Sequence, residues 1–219
     1  MSLIHYTIDL ETNGLKRNYH TVNEISIIRH TDRVQLSKRI KCKSPEKSSM
    51  DALRVTGKTM QDLMRGDENA DVVNACNKFF NEDGLTPSHR CITGHNIWTF
   101  DRLFLWAMWE EEGSIFPASL YLDTLSMTKA WVKTANIGKQ KTNLAAATEL
   151  FGLKKISNAH SAKGDSRATY HLYNELIENR GIDRLSFIKN SPHQTKEPDP
   201  EFEPDLSILE DLNDEDMPF

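Results

Sequence analysis

The distribution of apolar residues predicts a chain that begins with strands and continues with alternating strands and helices. LIHYTIDLE (3–11) is apolar and β-branched and precedes the turn-prone TNG, so we expect a buried strand there. EISIIRH (24–30) and RVQLSKRIK (33–41) alternate closely enough to predict two further strands, with a hairpin turn at HTDR. The first 41 residues therefore predict three strands that pair antiparallel.

Helical periodicity takes over after residue 47. Short helices are predicted over 48–57 and 59–66, and a longer one over 71–84 that ends at Gly84. RCITGHN predicts a strand that runs into a loop, and FDRLFLWAMWEEEG an amphipathic helix closed by Gly113. A strand and a helix follow over 119–132, then helices over 143–153, capped by Asn143 or Thr142, and over 165–181. Three antiparallel strands followed by strand–helix alternation predict an α/β fold, a mixed sheet flanked by helices.

The composition changes at about Ser191. The segment 191–219 holds five of the eight prolines, and residues 196–219 contain ten acidic residues and one basic residue. This segment has too little apolar surface to offset the entropy cost of ordering it. We therefore predict one domain over 1–190 and a disordered acidic tail over 191–219. The remaining 195 residues carry a net charge of +4, which is compatible with binding a polyanion.

Other features bear on the cellular compartment. The longest apolar run, LFLWAMW, is far shorter than the roughly 20 residues of a membrane-spanning helix. The N-terminus lacks the basic region and long apolar core of a signal peptide. Cys42, Cys76 and Cys91 are scattered without metal-ligand spacing, so we expect reduced, mostly buried thiols in a cytoplasmic protein.

Two carboxylates, Asp9 and Glu11, lie near the end of the first predicted strand. Residues two apart on a strand share a face, and the carboxyl ends of strands are where α/β sheets usually carry their sites. For this pair alone, an acidic strand end in solvent is the simpler interpretation. Two further acids change it, because Asp101 and Asp165 are each predicted to open a helix and His160 lies five residues before Asp165.

Four carboxylates from three segments suit a two-metal phosphoryl-transfer site. Mg²⁺ prefers carboxylate oxygens and keeps open positions for water and phosphate. In such sites one metal activates the attacking water and the other stabilises the leaving oxygen. A neutral histidine nearby can accept the proton of that water. His160 alone would be assigned to a polar surface loop, and its spacing from Asp165 favours the catalytic interpretation.

The segments IDLETNGL, GHNIWTFDRLFL and HSAKGD resemble, in the same order, the three exonuclease motifs of the DEDD superfamily, His subtype (DEDDh, DnaQ-like). This family includes the replicative proofreading exonucleases. LDTLSMTKAW and NLAAATELFGL resemble its helical stretches, so the resemblance covers about residues 3–180. It implies a ribonuclease H-like fold with a mixed five-stranded sheet. The second motif is one residue longer than the commoner form, which puts the place of Asn96 in question.

The resemblance also implies roles for individual residues. Asp9 would bridge two Mg²⁺ or Mn²⁺ ions, Glu11 and Asp165 would bind the metal on the nucleophile side, and Asp101 would hold the other mainly through water. His160 would be the general base. The residues implied in substrate binding are Thr12, Gly14, Leu15 and Asn96, the first three receiving the 3′-terminal nucleotide with Leu15 wedged against its base.

The function that follows is a metal-dependent 3′→5′ exonuclease that releases nucleoside monophosphates, with single-stranded DNA favoured as substrate. The motifs do not encode sugar discrimination, so an RNA-trimming, oligoribonuclease-like enzyme stays open. A recruitment module with a vestigial nuclease domain is a third interpretation, and the five intact catalytic positions argue against it.

The last residues, NDEDMPF, resemble the C-terminal tip of bacterial single-stranded-DNA-binding proteins. In that family the tip is a docking peptide whose Phe enters an apolar pocket while its carboxylates meet basic residues. The resemblance implies a partner-binding role for Asp216, Met217, Pro218 and Phe219. An ordinary solvating tail, or a tail that folds back on the basic body, are the alternatives. A nuclease with a docking tail would suit a phage or a bacterium.

Overall fold

The computed structural model describes residues 3–154 and 160–193. Its centre is a mixed sheet with the strand order β3-β2-β1-β4-β5-β6. The strands β1 to β3 pair antiparallel, β4 and β5 run parallel to β1, and β6 runs antiparallel to β5. The strands are β1 (Ile4–Thr12), β2 (Val22–Arg29), β3 (Gln35–Arg39), β4 (Arg90–Gly94), β5 (Leu120–Asp123) and β6 (Lys189–Asn190).

The helices occur where the periodicity predicts them. They are α1 (Met50–Thr56), α2 (Met60–Leu63), α3 (Asn69–Asn81), α4 (Asp101–Glu111), α5 (Thr124–Ala135), α6 (Leu144–Leu150) and α7 (Ala162–Asn174), the last extended by a π turn at Glu175–Asn179. Asn143, one of the two predicted caps, accepts a hydrogen bond from the Ala146 N–H at the start of α6. The start of α7 was predicted wrongly, because Ser161 caps it and Asp165 lies in its first turns rather than at its first position.

Two apolar layers enclose the sheet. The side chains of Tyr6, Ile8 and Leu10 alternate with polar ones along β1 and face the layer that contains α3 and α4. On the opposite face, Leu122 of β5 packs with residues of α5, α6 and α7, among them Leu172. The result is a helix–sheet–helix arrangement in which α7 covers the face of β1 that carries Asp9 and Glu11. The predicted α/β fold, a mixed sheet flanked by helices, is confirmed.

A buried ion pair fixes the end of the sheet at which β1 begins. The guanidinium of Arg90 on β4 donates to Asp83 at 2.7 Å, and the Tyr6 hydroxyl donates to the same carboxylate at 2.7 Å. Arg90 also donates to the backbone carbonyls of Phe80 and Leu85. Because nearly every polar atom of the pair has a partner, it holds the end of α3 against β1 and β4, remote from the C-terminal end of β1.

The last described residues differ from the prediction in two ways. The sheet has a sixth strand, β6, whose two residues give no pattern that the sequence could reveal. Ser191 and His193, assigned to the disordered tail, pack on the body, so the domain extends at least to residue 193. Ser191 bonds to Ser119 and Arg102, and the 5% exposed His193 accepts from the Phe116 N–H at 2.8 Å and stacks on Trp106. Residues 194–219 lie outside the described part of the chain.

The structure also shows the environment of the three cysteines and the length of the helices. Cys42, Cys76 and Cys91 are free and buried, and burial raises the pKa of the Cys76 and Cys91 thiols to about 12. Within 3–154 and 160–193, none of the helices has the length and apolar character needed to cross a membrane.

Candidate active site

Three of the predicted acids meet at the C-terminal end of β1. Asp9 and Glu11 lie on the same face of the strand, and α7 brings Asp165 against that face. One carboxylate oxygen from each of the three lies within 4.8 Å of the others. Glu11 is almost fully buried, and Asp9 and Asp165 are half-buried. The acids that are far apart in sequence therefore form one compact cluster.

The fourth acid, Asp101, is positioned by the backbone of the same strand. It is the first residue of α4, and its Oδ1 accepts a hydrogen bond from the Leu10 N–H at 3.2 Å. Because Leu10 separates Asp9 from Glu11, this bond places the Asp101 carboxylate beside the cluster. The structure thus brings together all four predicted carboxylates, three in the compact cluster and the fourth at its side.

A small polar network holds α7 at this position. The Ser166 hydroxyl donates to Ser26 of β2 at 2.9 Å, and the Gln35 amide of β3 donates to Ser166 at 3.1 Å. The Ala162 N–H, at the first position of α7, lies 3.4 Å from a carboxylate oxygen of Glu24. Since Ser166 directly follows Asp165, these bonds fix the distance between Asp165 and the acids of β1.

The pKa values of the four acids are raised. Burial, followed by the charges of its acidic neighbours, holds the pKa of Asp9 well above its usual range. Burial raises the pKa of Glu11 to about 8, against a lowering by Lys58. It raises the pKa of Asp101 to about 7 and of Asp165 to about 6, although backbone N–H donors oppose both shifts. The cluster therefore favours any species that supplies positive charge.

This chemistry fits divalent cations. The grouped donor atoms are carboxylate oxygens, which hard cations such as Mg²⁺ and Mn²⁺ prefer. Their burial removes water that would otherwise screen the repulsion among them, so a bound cation would replace both the missing water and the protons. Asp9, Glu11 and Asp165 offer three oxygen donors that can hold such a cation, and Asp101 lies beside them.

His160 lies beside the cluster in an unusual backbone conformation. Its φ is +64°, and its N–H donates to Oδ2 of Asp165 at 3.1 Å. The side chain is exposed, as a group that exchanges protons with solvent requires. The backbone bond explains the separation of five residues, because it ties His160, just before the Ser161 cap, to the carboxylate in the first turn of α7.

Two residues near the acids were missed at the sequence level. Glu24 is the cross-strand partner of Glu11 on β2, and Lys58, between α1 and α2, approaches it with Nζ 3.3 Å from Oε1. Lys58 also donates to Asn23 Oδ1 at 2.6 Å, and its side chain is 13% exposed. The antiparallel register could have placed Glu24 opposite Glu11. No local pattern marks Lys58, because its position depends on how the long connection between β3 and α3 folds.

The residues implied in nucleotide binding occupy the loop after β1. The Thr12 hydroxyl donates to the Gly14 carbonyl at 2.7 Å, and Leu15 is half-buried against the core. A Cβ on Gly14 would lie 2.3 Å from the ring of His20, so only glycine allows this close approach. Asn96 has a φ of +70°, and its side-chain oxygen accepts from Thr99.

Asn13 shapes this loop and was also missed. Its side-chain oxygen accepts from the Thr21 N–H at 2.7 Å, and its amide donates to Ser48 at 3.1 Å. Both ends of the loop 13–21 are thereby fixed to each other and to the segment before α1. The proposed tail-tip residues Asp216, Met217, Pro218 and Phe219 lie outside the described part of the chain.

Comparison with known proteins agrees with this geometry. A model of the family described as Exonuclease (RNase_T) matches residues 7–173, which include every acid of the cluster. The chain belongs to this exonuclease family. The resemblance to the DEDD-superfamily, DnaQ-like 3′→5′ exonuclease family is thereby confirmed. No curated protein matches the sequence.

Solved structures share the exonuclease fold at low sequence identity. E. coli exonuclease I in complex with a dT13 oligonucleotide superposes with a TM-score of 0.68 at 20% identity, over 84% of this chain and 44% of that one. Exonuclease I from Methylocaldum szegediense gives 0.65 at 20%, over 81% and 41%. Cell-death related nuclease 4 (CRN-4) gives 0.67 at 13%, over 87% and 67%. The chain spans less than half the length of the two exonuclease I chains.

Proposed function

We propose that the protein is a divalent-metal-dependent 3′→5′ exonuclease that removes nucleoside monophosphates from the 3′ ends of single-stranded DNA. The observation that supports the metal-dependent mechanism is the convergence of three carboxylates within 4.8 Å, with Asp101 anchored beside them. Protein acids with raised pKa values in such an arrangement are typical of catalytic sites.

The cluster would hold two Mg²⁺ or Mn²⁺ ions. Asp9 would contact both, Glu11 and Asp165 would hold the one on the side of the attacking water, and Asp101 would hold the other mainly through water. Bound divalent cations would supply Lewis-acid stabilisation of the phosphate and a water of lowered pKa. The protein contributes rigidity, because β1, α4 and α7 each carry part of the donor set and are fixed by the Leu10 and Ser166 hydrogen bonds.

His160 would act as the general base. Its ring is exposed and carried by a residue whose N–H is bonded to the Asp165 carboxylate, so the imidazole stays close to the acids while it exchanges protons with solvent. The end of β1 and the loop after it, with Thr12, Gly14 and Leu15, would receive the terminal nucleotide, and Asn96 lies in the loop after the neighbouring strand β4.

Single-stranded DNA is favoured over RNA by one comparison. The exonuclease I structure with which the chain shares its fold is bound to a dT13 oligonucleotide. RNA trimming is the alternative within the same enzyme class. It predicts a ladder of shortened RNA rather than DNA products.

The test is hydrolysis of 5′-labelled DNA and RNA oligomers with and without Mg²⁺. Wild-type protein should shorten DNA stepwise from the 3′ end only when the metal is present. Asp165→Asn should abolish this, whereas Asp71→Asn, on the exposed side of α3, should not. Metal-independent degradation, or full activity of Asp165→Asn with its metal binding lost, would contradict the mechanism.

We also propose that the C-terminal tip recruits a partner that recognises single-stranded-DNA-binding-protein tails. The support is the sequence NDEDMPF together with the anchoring of the chain at His193, which gives the tail a fixed point of departure. Deletion of Phe219 should abolish binding to a pocket-bearing partner without changing hydrolysis. Unchanged binding would remove the docking role.

A further inference from the structure

A cavity of about 290 Å³ lies beside the loop that follows β1. One wall is the loop itself, through Arg17, Tyr19 and His20, and the floor is apolar, through Phe104 and Met108 of α4. The segment after β3, through Ile40, Lys41 and Lys43, contributes to the rim. None of these residues has a role in the catalytic cluster, so the cavity is a separate feature of the surface.

The cavity nevertheless lies next to the active site along α4. Phe104 and Met108 follow Asp101 by three and seven residues and so lie on the same stripe of α4. At about 5.4 Å per helical turn, the cavity begins about one turn from the Asp101 carboxylate. Its loop wall belongs to the segment that starts at the proposed seat of the 3′-terminal nucleotide, Thr12 to Leu15.

The side chains around the cavity combine one exposed aromatic ring with positive charge. Tyr19 is 52% exposed, and the Lys47 ammonium lies 5.3 Å from its ring centroid. The His20 ring meets Tyr19 edge to face and accepts from the Lys16 N–H at 2.9 Å, which braces the tyrosine. Glu68 and Glu111 form ion pairs with Lys41 and Lys43, respectively. The basic residues of this surface are Lys16, Arg17, Lys41, Lys43 and Lys47.

We infer that this surface binds the single-stranded DNA immediately upstream of the scissile nucleotide, with one base stacked on Tyr19 and the adjoining phosphates near Arg17, Lys43 and Lys47. An aromatic face with basic residues along a groove is how proteins hold single strands without reading sequence. The Lys43–Glu111 and Lys41–Glu68 pairs can exchange a carboxylate for a phosphate at little cost, because exposed ion pairs contribute little stability. The inference rests on the proposed exonuclease function and adds a second binding subsite to it.

The experiment compares a substrate that reaches this surface with one that does not. The first is a 5′-labelled dT10 oligomer, and the second is the p-nitrophenyl ester of thymidine 5′-monophosphate, which has no upstream nucleotide. Tyr19→Ala should raise KM for dT10 by about 5- to 150-fold, the range that loss of one base–aromatic stack gives, with kcat nearly unchanged. Hydrolysis of the ester should be unaffected, and Tyr19→Phe should behave as wild type.

A matched pair of charge variants tests the phosphate contacts. Lys47→Ala should weaken dT10 binding. It should also reduce the slope of log K against log salt concentration by the amount expected for about one phosphate contact. Lys78→Ala, an exposed change on α3 near the opposite end of the sheet, should do neither. Binding of labelled dT10 in EDTA measures the surface without catalysis, so it still tests the inference if the wild-type protein hydrolyses neither substrate.

Three results would overturn the inference. Equal losses on dT10 and on the ester would show that Tyr19 only supports the fold of the active-site loop. Unchanged dT10 affinity of Tyr19→Ala in EDTA would show that no base stacks there. If Tyr19→Ala kept its dT10 affinity but no longer bound a labelled peptide of residues 211–219, the cavity would be assigned to the protein's own tail.

Discussion

Substitution of Glu11 by Gln makes a quantitative test of the buried acidic cluster. The pKa of Glu11 is about 8 in the folded metal-free protein and 4.5 in an exposed glutamate. Its contribution to stability is therefore complete below pH 4.5 and lost as the pH rises through 8. At pH 7 the folded state holds a proton that the unfolded state has released, and pH 7 lies 2.5 units above the unfolded-state pKa of 4.5. At 1.36 kcal/mol per unit, this costs the folded state about 3 kcal/mol.

Glu11→Gln removes this proton linkage. We expect the metal-free wild-type protein to lose stability between pH 5 and 8, with Asp101 and Asp165 adding to the loss because their pKa values, about 7 and about 6, are shifted in the same direction. The variant should lose about 3 kcal/mol less by pH 7. For a chain of this size that corresponds to roughly 6–12 °C in Tm.

The assay is urea or thermal unfolding in EDTA from pH 5 to 8, with Glu149→Gln, an exposed acid on α6, as the control. Mg²⁺ should restore stability to the wild-type protein at pH 8 and not to Glu11→Gln, because ligands stabilise the state that binds them. A pH-independent wild-type stability, or identical profiles for Glu11→Gln and Glu149→Gln, would refute the desolvated cluster.

Three further predictions concern other parts of the molecule. His160→Ala should lower the hydrolysis rate at neutral pH and keep Mn²⁺ affinity by calorimetry; normal turnover across pH 6–8 would exclude it as the base. Gly14→Ala should lower kcat/KM on DNA at least tenfold, since its Cβ would lie 2.3 Å from the His20 ring, and an unchanged value would argue against a rigid loop. Asp83→Asn should destabilise the fold by about 3–5 kcal/mol in urea, because it breaks the buried pair with Arg90, while specific activity of the folded fraction is retained.

Local sequence patterns were enough to predict most of the strands and helices and the positions of the acids on them. Two-residue alternation on β1 fixed the common face of Asp9 and Glu11, and Asp101 begins α4 as the chain pattern indicates. Asp165 lies in the acidic cluster although α7 begins earlier than predicted. Contacts between segments that are distant in sequence were not predicted, because neither segment alone has a pattern that indicates them. Lys58 beside Glu24 is one example, and the Tyr19 cavity is another.

The packing of Ser191 and His193 shows where the catalytic unit can be cut for engineering. A truncation at residue 190, where the composition changes, would strip the imidazole from Trp106 and leave the Phe116 N–H without its acceptor. It would also remove the hydrogen bonds that link Ser191 to Ser119 and Arg102, which hold the edge of the sheet at β6. Fusions that append a different recruitment peptide should therefore join after His193, so that the transplanted segment inherits an intact anchor.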